Sequence, residues 1–136
     1  MGKKSRDKGA SYEREIANLF KTVYPDAKRG IGQARSASEV PDVDGTPFWV
    51  ECKDHKATLN LAKVYVKATI DRAKSPTIVS QKKPIVIVWK RHRGRTDYAT
   101  MVMSTLFDVV KAGTVQRFES FVTLELKSFL DLCCQP

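Results

Sequence analysis

Residues 41 to 53, Pro-Asp-Val-Asp-Gly-Thr-Pro-Phe-Trp-Val-Glu-Cys-Lys, leave this chain few ways to fold. Asp44, Gly45 and Pro47 carry turn chemistry and the β-rich run Phe48 to Cys52 follows directly, so the stretch reads as two short strands joined by a tight turn. Side chains alternate along a strand, which puts Phe48, Val50 and Cys52 on one side and Trp49, Glu51 and Lys53 on the other. One side is apolar; the other carries an acid and a base. Glu51 and Lys53 stand roughly 6 to 7 Å apart on that side, and the turn brings Asp42 back beside them. Two carboxylates and an ammonium at the edge of an apolar strand suit a hard divalent cation, with the amine facing whatever anion the metal binds. The plainer reading of the same residues is a solvated strand face with two turn aspartates.

Upstream, Ser11 is placed to cap a helix that runs to about Tyr24 and stops at Pro25. Its apolar arc holds Tyr12, Ile16, Leu19, Phe20 and Val23, with Glu13 inside the arc and Glu15 outside it. A carboxylate on a buried helix face is costly unless it is paired or metal-bound. Glu13 is therefore either a rim residue paired with a nearby Arg or Lys, or part of the acidic site. Residues 1 to 8 hold Lys3, Lys4, Arg6 and Lys8 without apolar anchors and read as a flexible basic arm. Residues 27 to 40 mix glycines with Lys28, Arg29 and Arg35, which predicts a strand near Ala27 to Arg29 and then a loop suited to close approach by a phosphate.

Downstream, a helix is expected from about Leu59 to Lys74, capped by Asn60 or Thr58 and ended by Ser75-Pro76. Leu61, Val64, Tyr65, Ala68 and Arg72 form its stripe; Lys63, Lys67 and Lys74 lie mostly elsewhere, as a solvated face by default or, alternatively, as a face turned to DNA. Ile85-Val86-Ile87-Val88-Trp89 is the continuous apolar run of a central strand covered on both faces. Lys90-Arg91-His92-Arg93-Gly94-Arg95 then makes a cationic turn, and Asp97 to Met103 returns as the hairpin partner. Lys90, Arg91, Arg93 and Arg95 are candidates to hold phosphate, with Trp89 or Tyr98 available for stacking. Ser104 is placed to cap a helix to about Ala112, Phe118 to Leu126 reads as a late strand, and Lys127 to Cys133 as a terminal helix. Phe107, Phe118, Phe121 and Phe129 together exceed what a monomer exposes, so they belong to the core or to a dimer interface.

Length and charge narrow the function. A chain of 136 residues, 42% hydrophobic, suits a single domain with its own core. Lys and Arg number 24 against 15 Asp and Glu, a net charge of +9 that favours polyanions, nucleic acid before anionic membrane. No run of 18 apolar residues exists, no helix pairs a strongly apolar face with a basic one, and the N-terminus has no apolar signal region. The expected location is cytoplasmic, the host cytoplasm if the protein is viral. Cys52 lies in a strand and Cys133-Cys134 are adjacent, so no disulfide framework is expected; Cys52-x-x-His55 is half of a zinc site without a second half.

The combination Pro41-Asp42, turn, Glu51-Cys52-Lys53 resembles the PD-(D/E)xK nuclease superfamily. With Lys8-Gly9-Ala10-Ser11-Tyr12-Glu13-Arg14-Glu15 before it, the chain looks like the Holliday junction resolvases of archaeal type and their phage relatives over about residues 8 to 56. The resemblance implies one α/β domain over residues 9–136, a restriction-endonuclease-like αβββαβ core with a central mixed sheet flanked by helices. It also implies Mg²⁺-dependent hydrolysis of DNA phosphodiesters, with Mn²⁺ as a substitute. Asp42 and Glu51 would coordinate the metal with the carbonyl of Cys52, Glu13 would complete the shell or hold a water, and Lys53 would orient the nucleophile or offset charge on the phosphorane. Arg14, Arg29, Arg35 and Ser36 would join the cationic turn as DNA contacts. The implied substrate is a four-way junction, cut by a homodimer with two sites. The alternatives are a same-fold nuclease acting on duplex, flap or mismatched DNA, a non-catalytic nucleic-acid-binding module, and a generic basic RNA-binding protein. The last lacks any aromatic RNA-recognition motif.

Overall fold

A strand that is apolar along its whole length needs cover above and below, and the run Ile85 to Trp89 has both in the computed structural model, which describes residues 3–30, 40–54, 59–91, 94–110 and 120–134. In chain order the elements are α1 (Lys3–Lys21), β1 (Lys28–Arg29), β2 (Val43–Asp44), β3 (Trp49–Asp54), α2 (Leu61–Ala73), α3 (Ile78–Gln81), β4 (Ile85–Lys90), β5 (Asp97–Val102), α4 (Met103–Val109), β6 (Phe121–Glu125) and α5 (Leu126–Cys133). The strands form one six-stranded sheet in sequence order. All neighbours are antiparallel except β3 and β4, which run parallel with Glu51 opposite Ile87 and Lys53 opposite Trp89. A parallel pair requires a crossover, and α2 with the short α3 supplies it. The result is the expected mixed α/β sheet flanked by helices, with a helix, three strands, helical crossover and further strands in the expected order.

Strand alternation sorts the core into two layers. Val50, Val86, Val88, Ala99 and Met101 face α1 and α5, where they meet Ile16, Phe20, Leu126 and Phe129. Trp49, Ile85 and Ile87 face α2 and pack on Ala68, with Leu61, Val64, Tyr65 and Trp89 around them. The expected split along β3 therefore holds: Phe48, Val50 and Cys52 lie on the α1 side, and Glu51 and Lys53 line a cleft beneath α2.

Local chemistry explains most boundaries. Gly45 adopts φ 80°, and a Cβ there would overlap the backbone of Asp26, so the turn between β2 and β3 requires glycine. Asn60 caps α2 by accepting the Lys63 N–H at 3.1 Å, and Arg72 belongs to the stripe because its guanidinium donates to the Lys83 carbonyl at 2.7 Å. Thr77 caps α3, a turn of helix that the periodicity does not announce, by accepting the Ser80 N–H at 3.1 Å.

Three expectations need correction. The first helix begins at Lys3, so Ser11 is interior to it and residues 3–8, expected as a flexible arm, extend it. Lys, Arg and Ala are strong helix formers, and they outweigh Gly9 and the capping preference of Ser11. Ser104 does not cap α4 either. β5 runs directly into that helix, and the Met103 N–H is satisfied by the Ser120 carbonyl at 2.9 Å instead. Of the phenylalanines, Phe129 is core, Phe107 is half-buried and Phe121 is 42% exposed against the edge of Tyr65; Phe118 lies outside the described residues. Among the described residues no helix is long and apolar enough to cross a membrane.

Candidate active site

Three backbone contacts fix the acid that follows Pro41. The Gly30 N–H donates to the Asp42 carbonyl, the Asp42 N–H donates to the Val50 carbonyl, and the Cys52 N–H donates to Asp42 Oδ2, each at 2.8 Å. Gly30 is needed here because a Cβ would overlap the Pro41 carbonyl. The Asp42 side chain is thereby laid across β3 beside Glu51. Glu51 is held in turn by the indole of fully buried Trp49, whose Nε1–H donates to Oε1 at 3.0 Å. The two carboxyl groups lie within hydrogen-bonding reach of each other.

Their electrostatics follow from that geometry. Burial first, then the charges of Glu51 and Glu13, raise Asp42 to about 8, against the opposing Cys52 N–H and Lys53 ammonium. Burial likewise raises Glu51, with Asp71 adding to the effect, while the Trp49 indole, Lys53 and the contact with Asp42 hold it down. Two carboxylates so close and so enclosed do not both remain ionised at neutral pH without a cation. Asp42 and Glu51 are thus the two side chains that could share a divalent ion.

Glu13 is near but differently engaged. It sits on α1 with about a fifth of its side chain exposed, and Arg29 Nε donates to its Oε2 at 2.7 Å. This is the ion pair that a rim glutamate would make. Its charge still reaches Asp42. Among the described residues no three His, Cys, Asp or Glu side chains stand together as a ready-made metal set. The side chain of Cys52 packs with the α1 layer, and burial pushes its thiol up.

Lys53 shares the α2 side of β3 with Glu51. The two line a cleft of about 160 Å³ whose other wall is Lys63, Val64, Lys67, Ala68 and Asp71 of α2. Lys67 and Asp71 form an ion pair at 2.8 Å. The sequence named Lys63 and Lys67 without relating them to Glu51, and did not single out Asp71 at all. Their signal was present, since Lys63 and Lys67 immediately precede Val64 and Ala68 of the apolar stripe, but periodicity does not say which strand residues the stripe's flank meets.

Among the described residues, the expected DNA contacts do not form one cluster. Arg14 is exposed beside Glu13, while Arg29 is committed to Glu13. Lys90 lies over the Tyr12 ring on the α1 side at 5.1 Å. Arg91 lies 6.0 Å from the ring of Tyr98, which stacks against Trp89 at 4.9 Å. Arg95 lines a separate cleft with Leu19, Asp97, Glu125 and Lys127. Strand alternation turns Lys90 towards one face of the sheet and Trp89 and Tyr98 towards the other. Arg35, Ser36, Arg93, His55 and His92 lie outside the described residues.

One link outside the cleft braces the same end of the sheet: the Tyr12 hydroxyl donates to Asp97 Oδ1 at 2.9 Å, and burial followed by Asp97 raises its pKa. Comparison with known proteins finds no family model, no curated protein and no solved structure that matches this chain.

Proposed function

We propose that the protein is a metal-dependent endodeoxyribonuclease of the PD-(D/E)xK type, acting on branched DNA, four-way junctions foremost, as a homodimer. One observation carries the reading: two enclosed carboxylates, Asp42 and Glu51, lie against each other on adjoining segments, with the amine of Lys53 next along the strand. Left to themselves the acids oppose each other's ionisation, and a divalent cation offsets that repulsion. All-oxygen donors of this kind fit Mg²⁺ or Mn²⁺. When bound, such an ion supplies charge neutralisation at a phosphodiester and acidifies a water.

The chain's own residues divide the remaining work. Asp42 and Glu51 hold the ion, with the Cys52 carbonyl as the expected further oxygen. Glu13, fixed by Arg29, positions a water at the margin of the site. Lys53 faces the phosphate, where it orients the nucleophile or offsets charge that develops in the transition state. The net charge of +9 draws DNA to the domain. The preference for junctions and the two-fold assembly rest on the likeness of the Lys8 to Glu15 and Pro41 to Lys53 segments to junction resolvases.

A Mg²⁺ titration against a synthetic four-way junction and a matched linear duplex tests this reading. Metal-dependent cleavage, strongest on the junction, is expected. Equal cutting of the duplex would make the protein a same-fold nuclease of other DNA, and no cleavage of either substrate at any Mg²⁺ or Mn²⁺ concentration would refute the assignment.

A further inference from the structure

Lys63 and Lys67 stand one turn apart on α2 and, with Lys53 of β3, are three lysines lining the cleft that Glu51 also lines. The acids there are already engaged. Glu51 accepts from Trp49 and lies against Asp42, and Asp71 is paired with Lys67. Lys63 is exposed and forms no ion pair among the described residues. A divalent cation has no use for amines, whereas an anion does. The cleft, at about 160 Å³, has room for a phosphodiester unit and not for a base-paired duplex.

We propose that this cleft seats a phosphate of the substrate strand adjacent to the one hydrolysed, with Lys63 and Lys67 as positioning residues and α2 as the second wall of the site. The inference rests on the nuclease reading for its substrate, but the anion seat can be measured without any cleavage. Ammonium groups on flexible stems recognise phosphate as point charges, and contacts to phosphate carry no base identity. The seat therefore fixes where the backbone lies, not which sequence is cut.

The test is binding of a labelled four-way junction and a linear duplex in EDTA across a salt series. The proteins are the wild type, Lys63→Gln, Lys63→Arg and Lys67→Gln. Lys74→Gln is the control, because Lys74 is exposed at the C-terminal end of α2 and does not line the cleft. Loss of one phosphate contact should lower the slope of log affinity against log salt by about 1. The ratio of wild-type to Lys63→Gln affinity should then change about fourfold between about 50 and about 200 mM salt. Lys63→Arg should restore most of the slope, and Lys74→Gln should leave it unchanged. Lys67→Gln also releases Asp71, so the Lys63 pair decides the matter. With Mg²⁺ added, Lys63→Gln should raise KM more than it lowers kcat. An unchanged slope for Lys63→Gln, or an equal loss for Lys74→Gln, overturns the proposal. If the wild type cuts no DNA the nuclease reading fails, yet the salt slopes still judge the seat; a wild type that binds no DNA overturns both.

Discussion

Asp42 makes two contacts that an asparagine could keep: the side-chain carbonyl can accept from Cys52 N–H, and the new amide can donate to Glu51. The native carboxyl, raised to about 8, holds its proton far above the ordinary value of about 3.9. Between those values the folded state binds more protons than the unfolded one, so metal-free stability falls as pH rises through that window. In EDTA the melting temperature should therefore decline from about pH 4 to about pH 8, and Asp42→Asn should flatten the decline and melt higher at pH 8. Mg²⁺ should restore the wild type, by about 2.7 kcal/mol at a hundredfold excess over Kd, and leave Asp42→Asn unmoved. A wild-type melting temperature that rises through this range would contradict the burial argument. Lys53 has a different signature. Lys53→Ala should lower cleavage by about 10²- to 10⁴-fold while DNA affinity in a filter or anisotropy assay stays within a few-fold.

Among the elements, the turn between β2 and β3 sets the alignment of Asp42 with Glu51, and it hinges on Gly45. Gly45→Ala meets both a left-handed φ and the Asp26 backbone, so urea denaturation should show a loss of about 1 to 3 kcal/mol, and cleavage should fall with it. This hairpin was legible in the sequence because turn chemistry and two-residue alternation are local. The α1 face was legible for the same reason, and its Glu13 was correctly put among the inward residues. The ion pair with Arg29 was not legible as such. It depends on β1 docking beside α1, a contact between residues 16 apart, and composition offered several other basic partners. Residues 3–8 show the reverse failure, since the absence of apolar anchors says nothing against a helix that continues from an anchored one.

At the scale of the molecule, the parallel pairing of β3 and β4 is decisive. It forces a crossover, and the crossover helix lies over Glu51 and Lys53 rather than at a distance from them. The proposed homodimer predicts a solution mass twice the 15.3 kDa of one chain, measurable by light scattering; a strict monomer that still resolves junctions would remove the two-site argument. The sequence by itself determined which residues share a face, where the turns fall, and that two acids and an amine belong to one strand-turn-strand unit, because those relations are set by backbone periodicity and local sterics. Only the tertiary structure decided what covers each face. It placed Lys63, Lys67 and Asp71 opposite Glu51, gave Glu13 to Arg29, and set Lys90 over the Tyr12 ring. Those outcomes depend on strand order and helix docking, which bring together residues that no local pattern relates.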